Sequence, residues 1–493
     1  MTNHHEVIVI GAGISGVCAA IKLAEAGVED VVIVEKADTF GGTWRANTYP
    51  GCACDVPSGL YSFSFAPNSE WSRLFATQPE ILGYVDRVAR EHGLAERTRF
   101  GVEVTGAHWD TAAERWRLST GAGELTARFV VSAAGPWNEP RVPEIPGLAE
   151  FTGAVFHSAR WNHDYDLRGK RVAVVGTGAS AVQFVPAIAP EVAALHLFQR
   201  TAQWVLPKLD HPVPAVEKRM MRRIPFAHTA LRAVEYTIME GLGVAFRHPR
   251  PLMQTVQAVG SAYLRAVVRD PALRAKLTPD YLLGCKRILF SNSYLQSLTR
   301  DNVEVHATAV AEFRGNTVVG ADGSTAEVDA VILGTGFHIL DTPLADIVRG
   351  ADGRTMAEHW QGSPEAYLGT VTTGFPNAFT VLGPSLGTGH SSAFAILEAQ
   401  VEFLVAAVTT ARRRGWSALD VRPEVQAGYV EQVQAALAGT VYNAGGCQSY
   451  YLDANGRNSF SWPWSTGELT TRVSSFDPAD FTVTTTDDVE IPA

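Results

Sequence analysis

The residues best placed to do chemistry begin at Gly11. The run Gly11-Ala-Gly13-Ile-Ser-Gly16 follows a mostly apolar, β-branched stretch, Glu6 to Ile10, and opens a helix-like stretch through Glu25. In that order Gly11 makes a tight turn, Gly13 lets backbone approach a pyrophosphate, and Gly16 lets helix pack on strand. The helix N-terminus faces the phosphates, and Glu35, closing the next strand VVIVEK, takes the ribose hydroxyls. A second copy starts at the apolar run Arg171 to Val175. It continues through Gly176-Thr-Gly178-Ala-Ser180-Ala181 and a helical stretch to AALHLFQRT, which places Arg200 and Thr201 where the first copy has Glu35. A carboxylate there would repel a 2'-phosphate, whereas a guanidinium grips one through charge-assisted bonds. An acid at the first site and a base at the second imply FAD followed by NADPH, the layout of a flavoprotein reduced by a pyridine nucleotide.

The elements that hold these sites must fit in 493 residues, too many for one ordinary core, so two or three domains are expected. A hydrophobic content of 46% and a charged content of 19% describe a globular enzyme and exclude a disordered chain. A net charge of -10 argues against nucleic acid, whose affinity depends on neutralised phosphates. The strand-like EVIVIGAG starts within five residues of Met1 and leaves no room for a signal peptide. The uncharged run Val172 to Pro190 has the length of a membrane span, but its glycines and prolines divide it into strand, turn and helix. Five cysteines, few and odd in number, fit a reduced cytoplasm. No His, Cys or Asp group has metal-ligand spacing, so no metal is expected. Cys52 and Cys54, one residue apart, make a poor redox dithiol and read as structural.

Further motifs make the resemblance specific. FTGAVFHSARW supplies Phe151, Gly153, His157 and Trp161, which match the signature F-x-G-x-x-x-H-x-x-x-W. Gly41-Gly-Thr43-Trp44, YPGCACDVPS with Asp55 and Ser58, Gln78-Pro-Glu-Ile81, Phe198-Gln-Arg-Thr201, Cys285-Lys286-Arg287 and Gly334-Thr-Gly336-Phe337 extend the match over nearly the whole chain. The chain resembles the flavin-dependent Baeyer–Villiger monooxygenases, within the wider flavin-containing monooxygenase group. Late in the chain, GTGHSS and CQSYYLDANGRN are similar to the branch acting on aryl ketones and thioamides. The chain departs at Asn162, where the signature usually has Pro or Asp, and at Leu282 and Leu283, where a proline-containing turn is usual.

The resemblance implies an α/β fold with two Rossmann-like dinucleotide-binding domains and a helical insertion. FAD would bind 1–140 and 338–493, NADP 151–207 and 286–337, and the insertion would span 208–285. Thr43, Trp44 and Gly336 join the glycines, Ser180 and Ala181 as cofactor-binding residues. Lys286 helps Arg200 and Thr201 at the NADP site, and His157 stands near the nicotinamide in a connector between the halves, where Gly153 supplies freedom and Phe151 and Trp161 anchor the ends. The implied reaction uses NADPH and O2 to form a C4a-peroxyflavin that attacks a ketone and gives an ester or lactone. Arg287, which keeps its proton at working pH, would hold the negative charge, and Asp55 would orient it. Substrate is then a small carbonyl compound, with no nucleic-acid partner and no stable membrane insertion. Two other readings stay open. One is a sulfur- or nitrogen-oxidising flavin monooxygenase, which shares most single motifs; the other is an electron-transfer flavoprotein reductase, which needs a redox dithiol or a protein partner.

Overall fold

The structure, a computed structural model, describes residues 3–485. The last eight residues of the expected FAD segment therefore lie outside the described residues. Two sheets organise the chain. The first has eight strands in the order Val348–Arg349, Val104–Asp110, Arg115–Thr120, Gly123–Ser132, His4–Ile10, Val31–Glu35 and Thr98–Phe100, with Ala378–Thr380 also on Gly123–Ser132. The second has five parallel strands in the order Val303–His306, Ala194–Phe198, Arg171–Val175, Ala330–Leu333 and Ala154–His157. Each contains an apolar strand buried on both faces, as parallel strands under helices must be: Val7, Ile8 and Val9 in one, Val172, Ala173 and Val174 in the other.

In both sheets the glycine run follows this buried strand and caps a helix, Gly13 before Ile14–Glu25 and Gly178 before Ala179–Ile188. Gly16 has to be glycine because a Cβ there would strike the Gly11 carbonyl oxygen. The run Val172 to Pro190 is strand, turn and helix rather than a span. Among the described residues one helix, Ala393–Arg414, is long and apolar enough to cross a bilayer. It packs against Ile14–Glu25 and Thr466–Val473 and buries Phe394, Leu397, Phe403 and Leu404 in the main core.

The segment FTGAVFHSARW differs from a connector. Ala154–His157 is an edge strand of the second sheet, in register with Ala330–Leu333. Phe151 packs edge-on against Phe313, and Trp161 lies against Phe156 and Phe184, so both anchors grip the second unit rather than one each. Gly153 contributes no backbone freedom; it has no side chain because a Cβ would collide with the Asp329 carbonyl oxygen and lie 2.6 Å from the Phe151 ring. The four residues seat a strand.

Between the second sheet's halves the chain forms the helices Ala215–Arg223, Ala227–Arg247, Gln254–Val267 and Pro271–Lys276. The short parallel pair Val205–Leu206 and Leu289–Phe290 joins the two ends of this excursion. Arg287 enters this ribbon at one end, and Lys208 leaves it at the other, beside Asn292.

Candidate active site

The two glycine turns are built to receive phosphates. Neither Ile14–Glu25 nor Ala179–Ile188 has a side-chain cap, so the first N–H groups of both helices are open to an anion. At the first turn, Gly42 of the Gly41-Gly-Thr43-Trp44 run packs directly on Gly13: a Cβ on Gly42 would lie 2.8 Å from the Gly13 Cα. Trp44 is buried and donates from Nε1 to the Tyr61 hydroxyl at 3.1 Å. The Glu35 carboxylate, 8% exposed at the strand end, accepts from the Ala12 and Ala37 amides, both at 2.7 Å, and keeps lone pairs for ribose hydroxyls. The fit to an adenine dinucleotide is good.

At the second turn Gly176 adopts φ +104° against the Gly334 carbonyl, and Thr177 donates to the Thr201 carbonyl at 3.3 Å. Arg200 is exposed. Burial first, then the repulsion of Arg200, holds the Lys286 ammonium below the ordinary lysine value, so the two cations face one space. Lys286 also lies over the Tyr281 ring at 5.1 Å. Two unsatisfied cations beside an uncapped helix N-terminus fit a nucleotide with an extra phosphate.

His157 ends its strand and accepts from the Ala159 amide through Nδ1 at 3.0 Å, which leaves the proton on Nε2. That Nε2 is buried, with the Gly336 backbone as its polar neighbour. Burial, then Arg160, lowers the imidazole to about 4, so it is a neutral donor at any working pH. Its edge faces Phe337 at 5.8 Å, next to Gly336.

From Phe337 an aromatic wall runs through Trp137 (6.1 Å) and Tyr450 (5.7 Å from Trp137) to Tyr451 (4.6 Å from Tyr450). Arg287 stands at its end, half-buried and without a side-chain hydrogen bond or ion pair among the described residues. Burial alone would lower its pKa, but Tyr450, Tyr451, Asp55 and Cys54 raise it overall. Phenols and thiols are neutral at working pH, so Asp55 is the anion that matters. The guanidinium is charged, sheltered and unpaired.

Asp55 is not bound to Arg287 as the sequence leads one to expect. Its Oδ1 accepts from Lys208 Nζ at 3.2 Å, and both side chains are 13% exposed. Lys208 Nζ also donates to the Cys54 carbonyl at 3.0 Å and lies 4.9 Å over the Phe75 ring. Asn292 clamps the Lys208 backbone from both sides, accepting at 2.9 Å and donating at 2.7 Å. The loop carrying Asp55 is itself pinned to the second glycine helix, where Gln183 bonds Tyr49 at 3.0 Å and both backbone groups of Ala53. Lys208 was invisible to motif reasoning, because it lies where the helical excursion begins and matches no pattern.

One expectation fails on long-range pairing. Cys285 and Cys447, 162 residues apart, form a disulfide with Cα atoms 6.1 Å apart, so the cysteines are not all reduced. The bond ties the Arg287 segment to the loop bearing Tyr450 and Tyr451. Cys18, Cys52 and Cys54 remain free and buried, and burial pushes the Cys52 and Cys54 thiols up to about 12, far from a reactive thiolate. Far apart in sequence, His196, Glu304 and His306 converge through strand pairing.

Comparison with known proteins agrees with this geometry. Residues 8–227 match the family described as pyridine nucleotide-disulphide oxidoreductase. A Baeyer–Villiger monooxygenase of Streptomyces coelicolor is 48% identical over 98% of this chain and 93% of its own. An oxidised steroid monooxygenase bound to NADP superposes with a TM-score of 0.87 at 32% identity, covering 98% of this chain and 100% of its own. The OTEMO complex with FAD and NADP gives 0.88 at 26% identity, over 97% and 99% of the two chains. The reductase reading falls with these matches and with the buried, unreactive Cys52 and Cys54. By its length-wide identity and its paired nucleotide sites, the chain belongs to the Baeyer–Villiger monooxygenase family, flavin- and NADPH-dependent enzymes that insert oxygen beside a ketone carbonyl.

Proposed function

We propose that this enzyme oxidises ketones with aromatic or other bulky apolar substituents to esters or lactones, with Arg287 as the residue that holds negative charge at the reacting oxygens. The unpaired, sheltered guanidinium at the end of an aromatic wall carries this reading. FAD, held by Gly11, Gly13, Gly16, Glu35, Thr43 and Trp44 in 1–140 and 338–493, supplies oxygen activation when bound. NADPH is held in 151–207 and 286–337 by Gly176, Gly178, Ser180, Ala181, Arg200, Thr201 and Lys286. His157 Nε2 and the Gly336 backbone present a donor and a turn toward the nicotinamide end. The protein's own part in the chemistry is electrostatic and exclusionary. Arg287 meets developing negative charge, Lys208 neutralises Asp55 so that the guanidinium is not consumed in an ion pair, and Trp137, Tyr450 and Tyr451 keep water away. Neutral sulfides and amines need no such cation. A panel of aryl ketones, cyclic ketones and aryl sulfides under 18O2, with products read by mass spectrometry, decides the class. Predominant labelled ester supports the proposal; labelled sulfoxide with no ester from any ketone overturns it. We place the enzyme in the cytoplasm as part of the same reading, on its likeness to its relatives and not on its cysteines, since Cys285 and Cys447 are paired, with 208–285 as a helical insertion.

Coenzyme choice gives a separate expected outcome. Arg200→Ala should weaken NADPH by about tenfold or more, through loss of a charge-assisted contact, and change NADH little. Stopped-flow reduction at varied nucleotide concentration yields both Kd values. Equal losses for the two coenzymes would remove the 2'-phosphate from this site.

A further inference from the structure

We infer that His196, Glu304 and His306 form a binding site for one zinc-class divalent cation on the edge of the second sheet. The strands Ala194–Phe198 and Val303–His306 run parallel with Glu304 opposite His196 and His306 opposite Phe198. Positions 196, 304 and 306 therefore project from one face of two register-locked strands. His196 Nδ1 is 3.2 Å from His306 Nε2; Glu304 Oε2 is 3.4 Å from the first and 3.6 Å from the second. Bonds of about 2.0–2.1 Å to a tetrahedral ion set its ligands about 3.3–3.4 Å apart. The three donor atoms already span one face of such a tetrahedron. Two imidazoles and a carboxylate suit zinc, cobalt or nickel rather than calcium or magnesium, which take oxygen ligands.

The surroundings support a bound ion over a mere surface cluster. The His306 side chain is 5% exposed and His196 17%, whereas Glu304, at 60%, faces the entry side and leaves the fourth position to water. His306 stacks on Phe198 at 4.5 Å with the rings 9° apart, which fixes its plane. The hydrogen bond between the facing nitrogens needs one proton, and on metal binding that proton moves to the other nitrogen of its ring, leaving both lone pairs for the ion. The edge strand Val303–His306 would be clamped to the strand that leads into Arg200, so the role is a structural staple remote from the chemistry.

The FAD-loaded enzyme, stripped with EDTA, is titrated with Zn2+ against a chromophoric chelator and, separately, with Co2+. One equivalent of Zn2+ should bind, and one equivalent of Co2+ should raise visible d–d bands of low-coordinate intensity. His196→Asn and Glu304→Gln, both toward the solvent side, should each weaken Zn2+ at least tenfold with unchanged FAD content and circular dichroism. Wild type without cobalt bands, or variants that bind Zn2+ as tightly as wild type, overturns the site. Because the wild-type cobalt spectrum stands alone, a variant that fails to fold does not protect the inference.

Discussion

Arg287→Ala should abolish most product formation while leaving hydride uptake intact. The guanidinium is half-buried, has no side-chain hydrogen bond or ion pair among the described residues, and faces the space closed by Tyr450 and Tyr451. Removing one preorganised electrostatic donor from a reaction centre costs about 100- to 1000-fold in rate. Ester or lactone formation should fall by at least that lower factor. The Lys286 and Arg200 cations proposed to read the coenzyme are untouched, so anaerobic reduction of the bound flavin by NADPH should stay within about tenfold of wild type. NADPH should still be consumed in air, with its electrons recovered as hydrogen peroxide. The measurement is the ratio of product to NADPH beside the peroxide yield. A variant that still couples NADPH to ester at the wild-type ratio removes Arg287 from the oxygenation step, and the sulfur- or nitrogen-oxidising reading gains.

What the sequence revealed and what it hid divide along chain separation. The glycine turns, the strands before them and the helices after them are local, so Gly11 to Gly16, Glu35, Gly176 to Ala181 and Arg200 were legible and stand where spacing put them. Arg287 is singled out by resemblance alone, since a basic pair before a short strand has no local signature. Its actual neighbours were not legible. Lys208 reaches Asp55 across 153 residues, Cys285 meets Cys447 across 162, and His196 meets His306 across 110. Pairings of that range are set by which strands lie side by side. The reading of Gly153 as a source of freedom failed for a related reason: a glycine demanded by a distant carbonyl looks, in sequence, like one demanded by a hinge.

The same distinction sharpens what Asp55 does. It lies beside two cations, bonded to Lys208 and acting on Arg287 only through space. Asp55→Ala leaves Lys208, a 13% exposed side chain, with only the Cys54 carbonyl and the Phe75 ring for company. Removing one partner of a buried ion pair costs about 3–5 kcal/mol, whereas replacing both by apolar groups is often neutral. The single variant should therefore melt well below wild type and lose about 100-fold or more in ketone turnover, with FAD still bound. Lys208→Met in the Asp55→Ala background should recover most of the melting temperature. Turnover is the discriminating readout. If Asp55 holds the field around Arg287, the stable double variant stays slow, because the guanidinium has lost its nearest anion and is free to swing toward solvent. If turnover returns with stability, Asp55 serves only to keep Lys208 neutralised, and Arg287 is positioned by the tyrosine wall and the disulfide-tethered loop alone. Lys208→Met by itself then separates the last two cases: it frees Asp55 to capture Arg287, which should slow oxygenation while flavin reduction by NADPH continues.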